Sequence, residues 1–320
     1  MALNENLRLP DLLAPIPGDS PVGPDLKYSN EFSEIEWAHN QGQDSVPPIS
    51  PPGFPGAEAE EHFGRVIELG EEFLLNQSKD LRIASFLANA LLRVGKGEDD
   101  DPVGALCFQG LGFGLDLLRG FVEEFWDELH SSIPARSAVL GILGSDAVTI
   151  PVRLVPLTHW GHSHFHYRDW AKGAIPESPP ADENTLWAGN FDDGLGETEL
   201  AALQRIAEAV KGCSESLAGL EAACKEKFGE AKEPPPRLRD LRDALQQVSN
   251  ATAQLVEKKA PPPPPEPEPA PEPVDQPAAD QAAPTPGPGE PPQPATQAQP
   301  AAQPTAATPA PPPPVQQSPT

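Results

Sequence analysis

The sequence predicts an all-α fold: a helical bundle with a C-terminal antiparallel helical hairpin, few or no short strands, and a disordered Pro/Ala-rich tail. Three observations carry this. Residues 78–93, wound as a helix, are apolar on most sides, so other helices must wrap them. Leu203, Ile206, Val210, Cys213, Leu217, Leu220 and Cys224 recur at spacings of three and four, and Leu238, Leu241, Leu245, Val248, Thr252 and Leu255 repeat the pattern after Pro234-Pro235-Pro236. More than half of the 44 prolines follow Ala260, in a segment with almost no large apolar side chain to offset the entropy of ordering.

In chain order, residues 10–28 are rich in turn formers (Pro15, Pro17, Gly18, Asp19, Pro21, Gly23, Pro24) and read as an ordered irregular arm, not a helix. A short helix follows from Ser29, carrying Phe32, Ile35 and Trp37, and residues 46–56 return to proline-rich loop. Phe63, Val66, Ile67, Gly70 and Leu74 mark the next helix. The helix over about 79–94 opens on Ser78 as its cap and stops at Gly95. Asp101 as cap and Pro102 as first helical residue open a third helix, running to about His130. Its glycines (Gly104, Gly110, Gly112, Gly114, Gly120) fit either close approach by a neighbouring helix or a broken start near Gly110.

Residues 135–143 read as one short helix. Residues 149–157, β-branched with two prolines, read as an extended edge segment. Residues 174–196 read as acidic loop. The organisation expected is a helical domain over 1–175, an acidic loop over 176–196, the hairpin over 197–259 and the tail over 260–320. Each hairpin seam can satisfy the other or face a second subunit.

With 48 acids against 22 bases, the formal net charge is -26. Such a surface repels nucleic acid and anionic lipid, so neither is expected as a partner. No apolar run approaches the roughly 20 residues that span a bilayer, and the first residues lack the basic and apolar blocks of a signal peptide. Three cysteines without metal-ligand pairing fit a reducing compartment. A cytoplasmic location follows as an expectation.

The chain offers little for chemistry. His162, His164 and His166 would share one face of a strand and could hold a metal ion, but the spacing matches no zinc motif, and an exposed histidine-rich edge is the plainer reading. Asp127, Glu128 and His130 lack a nucleophile or oxyanion device. There Trp126 and Leu129 bury, while His130 complements a helix C-terminus. Gly110-Leu111-Gly112-Phe113-Gly114 lacks the strand and third glycine of a nucleotide loop. Cys213 and Cys224, three turns apart, read as buried small hydrophobes. No catalytic residue and no cofactor is expected. The tail over 261–320 reads as a spacer before it reads as a ligand for a proline-binding domain.

Several landmarks, in order, resemble a known family. They are the arm Leu12-Leu13-Ala14-Pro15-Ile16-Pro17-Gly18-Asp19-Ser20-Pro21-Val22-Gly23-Pro24-Asp25-Leu26-Lys27-Tyr28, the signature Ser78-Lys79-Asp80-Leu81-Arg82, Phe125-Trp126-Asp127-Glu128-Leu129-His130, and Val155-Pro156-Leu157-Thr158 followed by Phe165-His166-Tyr167-Arg168-Asp169-Trp170. They resemble the ImpA-type N-terminal domain of the TssA family of bacterial type VI secretion systems, in a short form without the C-terminal ring domain.

The resemblance implies a cytoplasmic, non-enzymatic assembly protein that engages baseplate and sheath or tube proteins, with self-association a further expectation. The alternatives are an adaptor working through its proline tail and a metal-dependent enzyme using the histidine cluster. Loops that carry recognition are commonly ordered but neither helix nor strand. The candidate partner-binding residues are therefore Asp19, Ser20, Pro21, Asp25 and Tyr28, set against a packing role for Pro21, Leu26 and Tyr28.

Overall fold

A computed structural model describes residues 8–45, 57–95, 102–160, 163–166 and 188–260. The expected proline-rich loop at 46–56, most of the acidic loop and the whole tail after Ala260 lie outside them. The described residues all belong to one compact unit within Met1–Pro263.

They form ten α-helices, a 3-10 turn and two short strands. The helices are α1 (Leu9–Leu13), α2 (Asn30–Asp44), α3 (Ala57–Asn76), α4 (Leu81–Val94), α5 (Val103–Glu124), α6 (Ile133–Gly141), α7 (Asp146–Leu154), α8 (Ala188–Glu197), α9 (Leu200–Glu230) and α10 (Arg239–Lys259). The 3-10 turn, Ile142–Gly144, joins α6 to α7, and β1 (Pro156–Trp160) pairs antiparallel with β2 (Ser163–His166). The all-α class is as expected.

Neighbour packs on neighbour: α2 on α3, α3 on α4, α4 on α5, α5 on α9, α9 on α10, and α10 on α7. The two helices in the middle are accordingly strongly apolar. Nearly all of α4 is buried, and α5 inserts between α4 and α9. The seam on α9 therefore faces α5 as well as α10, which answers within one chain what covers it. Apolar residues of the arm, the bundle and the hairpin join in a single core.

The α5 glycines are explained by that insertion. A Cβ on Gly110 would lie 2.5 Å from the Leu91 carbonyl oxygen, and one on Gly114 would lie 2.5 Å from Ala88 Cβ. The helix runs unbroken through both, so close approach to α4 is the reason for them. α5 is also long and apolar enough to span a bilayer by composition alone, contrary to the expectation that no run comes near that length. Its most apolar window, of mean hydropathy 1.3, is 72% buried in the bundle, which accounts for the composition.

Five local expectations are corrected. α1 lies at the start of the arm, where no helix is expected. Ser78 does not cap α4; Asp80 does, accepting from Arg82 N at 2.8 Å. α5 ends at Glu124, not near His130, and starts one residue after Pro102. Residues 188–197, expected as acidic loop, are helical.

Residues 149–157 are helix α7 as far as Leu154, and the extended segment starts only at Pro156. Pro151 inside α7 cannot donate to the Ala147 carbonyl four residues back. Arg93 Nη2 from α4 donates to that oxygen instead, at 3.2 Å, and so offsets the proline.

A buried polar cluster links α2 to α4. His39 is 4% exposed, stacked on Phe86 at 4.3 Å, with Asn89 Nδ2 at 3.1 Å from its Nε2 and Gln43 Nε2 at 3.3 Å from its Nδ1. Burial, and then the nearby Arg93 cation, push its pKa down to about 4 from 6.5. The unfolded chain therefore binds the extra proton first, and stability is lost as pH falls from 6.5 towards 4. The expected loss is about 3 kcal/mol, at about 1.36 kcal/mol per pKa unit. Urea melts across that range should show it, and His39→Gln should flatten the slope.

Candidate functional site

The described residues bring together the arm, the start of α4 and the chain after α5. The arm is irregular because its turn formers forbid a repeating backbone, yet it is tightly held. Leu12, Ile16, Val22 and Leu26 point into the core. Within the arm, Ile16 N donates to Pro21 O at 2.8 Å and Gly23 N to Ser20 O at 3.0 Å. Gly23 has φ +68°, and a Cβ there would overlap the Gln77 carbonyl, so only glycine fits.

The signature residues are the fasteners. Lys79 N donates to Val22 O at 2.8 Å and Ser78 Oγ to Pro24 O at 2.7 Å. Lys79 is 1% exposed, and its ammonium reaches Leu12 O at 2.8 Å and Leu74 O at 2.5 Å, tying α1 to the end of α3. Burial lowers its pKa to about 8. Arg82 pairs with Asp80, its near neighbour, and with Asp25 of the arm at 3.1 Å, and lies 4.3 Å over the Phe32 ring. Burial opposes the Arg82 charge, but the two carboxylates outweigh it and raise its pKa. From the other side, His130 Nε2 donates to Gly23 O at 2.6 Å, so it serves the arm and not a helix end.

The chain after α5 is itself clamped. Arg136 donates to Ser131 O at 2.8 Å, Trp126 O at 2.5 Å and Leu129 O at 2.6 Å, and lies over the Trp126 ring at 4.6 Å. Trp126 meets Phe228 of α9 edge-on at 4.9 Å. A lysine at 136 has no fork to reach three carbonyls. Arg136→Lys is expected to cost about 2–3 kcal/mol for the oxygens left unpaired, lowering the thermal midpoint by roughly 5–10 °C in a calorimetric scan.

The five candidate residues divide by what the arm does with them. Ser20 and Pro21 are half-buried and lend their carbonyls to the turn, and Asp25 is committed to Arg82. Asp19 is exposed, and Tyr28 is 90% exposed, with Lys27 Nζ 5.1 Å from its ring centroid. Leu26 packs; Tyr28 does not. Sequence reasoning missed the roles of Lys79, Arg82 and His130, since their partners lie far along the chain.

For chemistry the arrangement provides little. Among the described residues no three or more His, Cys, Asp or Glu side chains are grouped to hold a metal ion. His164 and His166 sit on β2, but their side chains, and His162 altogether, lie outside the described residues. Burial pushes the Cys107 and Cys224 thiols up to about 12, and Cys213 is raised as well, by burial and then by Asp116, so none is an activated thiol.

Comparison with known proteins matches this architecture. Residues 13–145 fit the family described as "ImpA, N-terminal, type VI secretion system". Over 260 residues the chain is 30% identical to the type VI secretion system component TssA1 of Pseudomonas aeruginosa, covering 75% of this chain and 68% of that protein. The chain belongs to the TssA family. A solved N-terminal domain, including the ImpA_N region, of the TssA component from Burkholderia cenocepacia superposes with a TM-score of 0.64 at 26% identity. That match covers 81% of this chain and 97% of the domain. In this TssA-family chain the arm from residue 13 onward and its fasteners fall within residues 13–145.

Proposed function

We propose that this TssA-family chain is a non-enzymatic docking component of a type VI secretion system, working in the cytoplasm. It engages baseplate and sheath or tube proteins during assembly, and the arm around Asp19, Ser20, Pro21, Asp25 and Tyr28 is its contact face. The observation that carries the reading is Tyr28: a large aromatic ring left 90% exposed on a loop that four separate side chains hold rigid. A rigid, exposed tyrosine loses little entropy on binding, which suits it as an interface anchor.

In the same reading, the described residues within 1–175 and 197–259 form the folded body, and 260–320 serve as a spacer. A photo-reactive residue at position 28, in the full chain in its bacterium, should form adducts with baseplate or sheath proteins. Absence of any such adduct would count against the arm as the contact face.

A further inference from the structure

The segment after the arm's clamp is unlike the rest of the surface. In a chain of 48 acids and 22 bases, residues 131–145 contain one charged side chain, Arg136, and its charge is turned inward onto three carbonyls. The outward positions are Pro134, Ala138 and Ile142, exposed, with Ile133, Ala135 and Val139 half-buried. The contrast with α5 is quantitative. The Ile133–Leu154 stretch has a window of the same mean hydropathy, 1.3, as α5, yet only 33% of it is buried against 72%. Core packing explains α5 and leaves the outer face of α6 without a reason.

That face borders a cleft of about 280 Å³ between α6, the arm and the start of α4. Ser132, Ala135 and Val139 line its α6 side, and Lys27, Arg82 and His130 line the other. Its carboxylates, Asp25 and Asp80, are both held by Arg82. Lys27 makes no ion pair among the described residues, and no hydrogen bond among them uses the Ser131 or Ser132 hydroxyls. A cleft lined by three cations (Lys27, Lys79, Arg82) and two carboxylates, beside an uncharged helix face, departs locally from the molecule's overall acidity.

We infer that α6 and this cleft form a second docking surface, for a short apolar segment of another protein that places an Asp or Glu carboxylate beside Lys27. Charge complementarity selects this occupant. A second copy of this chain would bring together two chains of formal charge -26, and an anionic lipid surface is repelled in the same way. A nine-residue helix, about 14 Å long at 1.5 Å per residue, suits one short segment and not a broad flat interface. The surface rests on the docking reading above, adjoins the arm face at Asp25 and Lys27, and adds α6 and a partner chemistry.

The test places a photo-reactive residue at Ala138 or Ile142 of the full chain in the secreting bacterium, with exposed Glu61 on α3 as the control position. Peptide mapping of the adducts should find an apolar partner segment with an acidic residue within one turn. Lys27→Glu should cut the yield at least fivefold and Lys27→Arg should retain it; melting curves confirm that both variants fold. The inference is overturned by yields no higher than at Glu61, by a basic captured segment, or by adducts to lipid or to a second copy. Adducts at position 28 but not at 138 or 142 sink this surface alone, whereas adducts at none of the three sink the docking reading with it.

Discussion

Replacing Lys79 with methionine is expected to lower stability by about 2–4 kcal/mol and to free the arm. The Leu12 and Leu74 carbonyls lose the side-chain donor that Lys79 supplies, and each buried oxygen left unpaired costs roughly 1–3 kcal/mol. Removing a buried charge returns part of that. Amide exchange should accelerate across residues 22–28, because the backbone bond from Lys79 to Val22 depends on the same anchoring.

The pH dependence separates the amine from the packing. With a folded pKa of about 8 against 10.5 unfolded, the unfolded chain holds more protons between those values, so stability rises with pH there. A neutral amine still donates to both carbonyls. The gap between wild type and Lys79→Met, followed by urea melts from pH 7 to 10, should therefore widen. A gap that stays constant would mean the ammonium carries no burial penalty.

Gly114→Val is expected to be at least as damaging, about 3 kcal/mol or more. Even the first added carbon would sit 2.5 Å from Ala88 Cβ and 2.6 Å from its Cα, so α4 and α5 must part. The backbone of a packed helix pair cannot yield locally. The cause is checked by compensation: Ala88→Gly should recover a large share of the loss in Gly114→Ala, which a simple propensity effect would not do. Gly212 on α9 is the control. A Cβ there meets nothing within 4 Å, and Gly212→Ala should gain about 0.5–1 kcal/mol. Chemical denaturation of the five proteins decides it.

Those two sites show what the residues disclose unaided. Helices α3, α9 and α10 were readable because each buries a stripe, and a stripe leaves a three-four spacing in the sequence; α4 was readable because it is apolar on most sides. The α5 glycines were readable as a pattern but ambiguous in cause, since close approach needs to know what approaches. Residues 149–157 misled because the donor that makes Pro151 tolerable, Arg93, belongs to another helix. Nothing around Lys79 in the sequence marks it as buried, and only the fold shows two carbonyls waiting for it.

Of the candidate site, the irregular arm was legible from turn chemistry; the exposure of Tyr28 was not, since a packing role stood open for it. The ion pair between Asp25 and Arg82 and the bond from His130 to Gly23 were not. Nothing in local sequence couples positions so far apart. The same limit hid the outer face of α6, whose lack of exposed charge becomes visible only once Arg136 is seen to face inward.

The most direct measurement is secretion by bacteria carrying Tyr28→Ala, read together with the thermal midpoint and cellular level of the variant. The account predicts an unchanged midpoint and level, because the ring packs against nothing in the core, and at least a tenfold fall in secretion. Normal secretion from a normally abundant Tyr28→Ala protein would contradict it.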